Sequence, residues 1–65
     1  MDSKLAGKRL RLLRGSKTRE KVANDLHISA SALRSYENGD RRPRDDVKDK
    51  IALYYGKTVQ EIFFN

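Results

Sequence analysis

Apolar residues recur along this chain at intervals of three and four, the period of a helix with one buried face. Leu5, Ala6, Leu10 and Leu13 form the first such stripe, with Lys8, Arg9, Arg11 and Arg14 between them, and predict an amphipathic helix over residues 4–14. Gly15 is suited to end it and Thr18 to cap the next. Val22, Ala23 and Leu26 make the second stripe, and Ala32, Leu33 and Tyr36 the third. Ser29 lies between these two, where its hydroxyl can accept from the free N–H groups of a new helix. Pro43 disfavours helical backbone at Arg42 and suits a helix start, and Asp45 and Asp46 complement the positive end of the helix dipole. A fourth helix is therefore expected over residues 43–55, with Val47, Ile51, Tyr54 and one of Leu53 or Tyr55 facing inward and Gly56 as its stop. Thr58-Val59-Gln60-Glu61 has the spacing of a capping box and opens a last short helix carrying Val59, Ile62 and Phe63. The pattern predicts five helices, no strand and no repeat: an all-α fold in one domain over residues 1–65.

Residues 18–38 read as a helix-turn-helix, two short helices joined at His27-Ile28-Ser29. The run from Thr18 through Tyr36-Glu37-Asn38-Gly39-Asp40-Arg41-Arg42-Pro43 resembles the DNA-binding domain of the Cro and cI phage repressors and the wider Xre-type regulators. Ala23 matches the small residue that family places where its two helices cross, and Val22, Leu26, Ile28 and Leu33 match its buried aliphatics. The resemblance implies a five-helix lambda-repressor-like domain. It also implies an ion pair between Arg14, near the end of the first helix, and Glu37 of the Glu-Asn-Gly ending. Three departures stand out. His27 occupies the turn position usually held by glycine, Arg19 stands where glutamine is common, and the connection around Gly15-Ser16-Lys17 is shorter than usual.

Charge supports a polyanionic partner. Fifteen Lys and Arg against nine Asp and Glu give +6 in 65 residues, with a pI near 10.0. Residues 1–21 hold eight basic and two acidic residues, so their balance of +6 equals that of the whole chain. A basic amphipathic first helix could also lie on a membrane surface, but its apolar face lacks the bulky aromatics that favour insertion. No apolar run approaches the roughly 20 residues that span a bilayer, and a cytoplasmic location is expected. With no cysteine and one histidine, nothing suggests a disulfide, a metal site, a cofactor or a catalytic centre. His27 reads as a turn residue, and no small-molecule ligand is implied.

Helical geometry turns Leu33 and Tyr36 inward and leaves Ala30, Ser31, Arg34 and Ser35 as the expected base-contacting face. Arg34 is the one long forked donor there, suited to guanine O6 and N7 or to a phosphate. Thr18, Arg19, Ser29, Asn38, Arg41, Arg42 and Arg44 are the expected phosphate contacts. One short recognition helix reads little sequence, so a homodimer on a near-palindromic operator is expected, with Tyr54, Tyr55 and Phe64 at the contact. The expected function is repressor-like transcription regulation. An antitoxin, a restriction-modification controller or a protein-interaction module are alternatives. RNA binding is disfavoured for want of obvious exposed stacking aromatics.

Overall fold

The computed structural model describes residues 1–64 and contains five helices in that span, α1 (Ser3–Arg14), α2 (Arg19–Leu26), α3 (Ala30–Asn38), α4 (Asp45–Tyr55) and α5 (Val59–Phe63), with no strand among them. Local chemistry sets most of the boundaries. Thr18 Oγ1 accepts from Lys21 N–H at 3.1 Å, and Ser29 Oγ accepts from Ala32 N–H at 2.9 Å. Each satisfies one of the donors that a helix start leaves free. Thr58 and Glu61 close the capping box of α5 in both directions.

Three boundaries or faces differ from the periodicity. Asp2 caps α1 through its carboxylate, so the helix begins at Ser3. Helix α4 begins at Asp45 instead of Pro43, because Arg44 has the extended backbone of a cap and Pro43 is buried in the preceding loop. The inward residue beside Ile51 is Ala52, while Leu53 is 84 % exposed and Tyr55 is half-buried. Position 52 lies about 100° round the helix from Ile51, on the stripe of half-buried Lys48, and position 53 lies a further 100° round, nearly opposite Ile51.

Leu10, Val22, Leu33, Ile51, Ile62 and Phe63 are fully buried and draw one side chain or more from every helix into a shared core. Helix α1 crosses α3 at Gly7, where an added Cβ would collide with the main chain of Glu37 and stand 3.0 Å from Tyr36 O. That crossing requires glycine, although glycine inside a helix costs about 1 kcal/mol relative to alanine. Arg9 Nη1 donates to the main-chain oxygens of Ile62 at 3.2 Å and Phe64 at 2.6 Å, which ties the end of α5 to α1.

Candidate nucleic-acid interface

The turn between α2 and α3 sets the angle at which α3 is presented. His27 adopts φ 57° and ψ 41°, the left-handed conformation, and is the one described non-glycine residue with positive φ. Its N–H donates to Asn24 O at 3.2 Å and that of Ile28 to Ala23 O at 3.0 Å, a paired ending that satisfies the last carbonyls of α2. Ile28 then packs against the core, and Ser29 starts α3.

Helix α3 buries Leu33, Tyr36 and Glu37 and turns its opposite side outward. Ser31 and Arg34 are exposed, and Ala30 and Ser35 are half-exposed. Ala30, Ser31 and Arg34 line a shallow recess together with Arg19 and Glu20 from the first turn of α2. The fold thus brings residues expected at bases beside one expected at phosphate. Glu20 contributes a carboxylate to the same recess, a feature the sequence reading did not assign.

Glu37 is the sole buried charged residue described, 3 % exposed, and three guanidinium N–H groups meet it. Arg14 Nε donates to Oε2 at 2.7 Å and Arg14 Nη2 to Oε1 at 3.2 Å, while Arg19 Nε donates to Oε1 at 2.8 Å. Two cations on one buried carboxylate compensate its desolvation, and the forked geometry fixes α1, α2 and α3 at one point. The hydrogen bond to Glu37, ahead of the opposing effect of burial, holds the Arg14 guanidinium pKa above its ordinary value. Arg14 Nη1 also donates to Lys17 O at 2.7 Å and anchors the short connection to α2. Periodicity gave no sign that Arg19 would share Glu37. Its position in the first turn of a helix suggested a free charge.

Asn38 and three more of the expected phosphate residues lie at the end of α3 and in the segment after it. Asn38, at the end of α3, accepts from Arg11 through its side-chain oxygen and from Lys4 Nζ through its main-chain oxygen at 2.9 Å. Arg41 lies over the Tyr36 ring with Cζ 5.7 Å from the centroid, and Arg42 Nε donates to Ser3 Oγ at 3.4 Å. Arg44 is exposed and pairs with Asp46 at 3.4 Å.

Tyr54 and Tyr55 pack edge to face, with ring centroids 5.0 Å apart. Tyr54 donates its hydroxyl to Asp25 Oδ2 of α2 at 2.7 Å, with Lys17 Nζ 5.1 Å from its ring centroid. The Tyr55 hydroxyl is buried with no hydrogen-bond partner among the described residues, and its pKa is pushed up to about 12, chiefly by burial. Phe64 lies instead beside Lys48, whose Nζ is 5.1 Å from its ring centroid, and is 37 % exposed.

No group of three or more His, Asp or Glu is arranged to hold a metal among the described residues, and no described helix is long and apolar enough to cross a membrane. A family model described as a helix-turn-helix domain matches residues 5–62. No curated protein and no solved structure matches the chain. The family match spans nearly all of the sequence and contains both helices and the left-handed turn described above, so the chain belongs to the helix-turn-helix domain family, a family of DNA-binding regulators.

Proposed function

We propose that this protein is a sequence-specific, repressor-like regulator that binds double-stranded DNA as a dimer and catalyses no reaction. The shared recess of α2 and α3 carries the reading, because it sets Arg19 beside the outward face of Ala30, Ser31 and Arg34. Helix α3 enters the major groove, where Arg34 reads a base edge, Ser31 and Ser35 hydrogen-bond with little discrimination, and Ala30 meets a thymine methyl. Thr18, Arg19, Ser29 and Asn38 contact phosphates, as do Arg41, Arg42 and Arg44 in the loop after α3. With one strong base reader per chain, specificity also draws on DNA shape and on the spacing of two half-sites.

Selection of bound duplexes from a random library, followed by anisotropy titration of the winner against random competitor, tests the reading. A near-palindromic winner bound about 10³-fold or more above competitor is the expected result. A preference below about tenfold would instead fit a protein-interaction module with incidental DNA affinity.

A further inference from the structure

The helix-turn-helix contacts leave part of the positive charge unused. Lys4, Lys8 and Arg11 are spaced four and three residues apart on α1, which puts them on one stripe of that helix, and all three are exposed. Two contacts locate the stripe. Lys4 Nζ and the Arg11 guanidinium both donate to Asn38, so the stripe lies beside the C-terminal end of α3. Arg42 joins the same cluster through Ser3. Two carboxylates face it: Asp40, 3.9 Å from Lys4 Nζ, and Asp2, whose Oδ1 accepts from the N–H groups of Lys4 and Leu5 in capping α1. The Lys8 ammonium has no hydrogen bond or ion pair with any described residue.

Like charges four residues apart on a helix repel each other. Holding Asn38 accounts for Lys4 and Arg11, but no side-chain contact with a described residue accounts for Lys8, and the buried face of α1 is Ala6, Gly7 and Leu10. A row of negative charges alongside converts the repulsion to attraction, and the phosphates of duplex DNA form such a row. We infer that Lys4, Lys8 and Arg11 form a second phosphate-binding surface, gripping the duplex backbone beside the C-terminal end of α3. This inference rests on the proposed entry of α3 into the major groove, which brings the backbone past Asn38 and so past the stripe. The contacts read no sequence, so they raise the affinity for every duplex alike.

Salt titration tests it, because each phosphate contact adds about 0.9 to the slope of log affinity against log salt. The probe is a fluorescent random-sequence duplex about two helical turns long, titrated by anisotropy across a range of potassium chloride. Lys8→Ala should lower the slope by about one, and Lys4→Ala/Lys8→Ala/Arg11→Ala by about two or more. Lys50→Ala makes the same charge change on α4 beside His27 and Leu53, away from the stripe, and should leave the slope unchanged. Circular dichroism melts confirm that each variant is folded at the assay temperature, and Lys8→Ala removes no side-chain bond to a described residue. Equal slopes for Lys8→Ala and Lys50→Ala would overturn the second surface and leave DNA binding intact. A parent chain with no salt-dependent binding to the duplex would overturn both.

Discussion

A single carboxylate, Glu37, joins three helices and stands behind the face offered to DNA. Its side chain is out of contact with water and takes hydrogen bonds from Arg14 and Arg19. Glu37→Gln preserves the shape and strands two guanidinium groups beside a neutral amide, a change expected to cost about 3 kcal/mol. For a domain of this size that lowers the melting temperature by roughly 12–24 °C. A melt unchanged from the parent would show that the pair is compensated by solvent. Arg34 and Arg41 differ in a testable way as well. Arg34→Ala should relax preference at one base position per half-site by roughly 1–3 kcal/mol, whereas Arg41→Ala should weaken all duplexes alike and lower the salt slope by about one. Equal losses on selected and random DNA for Arg34→Ala would assign that side chain to phosphate.

Helix order, caps and most buried positions were legible in the sequence because they follow from spacing and from short-range chemistry. Thr18, Ser29, Thr58 and Gly56 act within four residues of themselves, and their roles can be read there. What escaped depends on partners distant along the chain. Gly7 is required by the main chain of Glu37, and the tie between Arg9 and the end of α5 joins residues more than 50 positions apart. Ala52 was passed over for a different reason: larger apolar neighbours, Leu53 and Tyr55, drew the inward assignment, and of these Tyr55 packs against the core while Leu53 is exposed. Of the site, the outward face of α3 could be read from helical phase, but the meeting of Arg19 with Glu37 could not. His27 gives a prediction at this scale. Its left-handed backbone strains a residue with a Cβ, so His27→Gly should raise stability by about 0.5 kcal/mol after the added freedom of the unfolded chain is subtracted. Thermal denaturation checks the sign, and a clear loss would show that the imidazole contributes packing that outweighs the strain.

For the molecule as a whole, the proposed dimer rests on Phe64 more than on the two tyrosines. Tyr54 is committed to Asp25 and the Tyr55 hydroxyl is buried, while Phe64 keeps an exposed edge beside Lys48. Sedimentation of the parent and of Phe64→Ser, free and with a selected duplex, is expected to show two parent chains per duplex and weaker, less cooperative loading of the variant. Two chains bound with unchanged affinity would place the contact elsewhere, for which exposed Leu12 and Leu53 are the next apolar candidates. One chain per duplex would end the dimer proposal.

The buried Tyr55 hydroxyl gives the chain an internal optical clock. There is no tryptophan and there are three tyrosines, so near-ultraviolet absorption is dominated by phenol groups. In the folded chain the Tyr55 phenol has a pKa raised to about 12, whereas an unfolded tyrosine ionises near pH 10. The raised native value means that its contribution to stability is complete below about pH 10 and is lost as pH climbs toward 12. In a rapid jump to pH 11 the tyrosinate band of this residue should therefore grow at the rate at which the helices open, and Tyr55→Phe should reduce that slow phase while leaving the share of Tyr54, whose pKa its hydrogen bond to Asp25 also raises. Appearance of its full signal within the mixing time would mean that the phenol reaches solvent without unfolding.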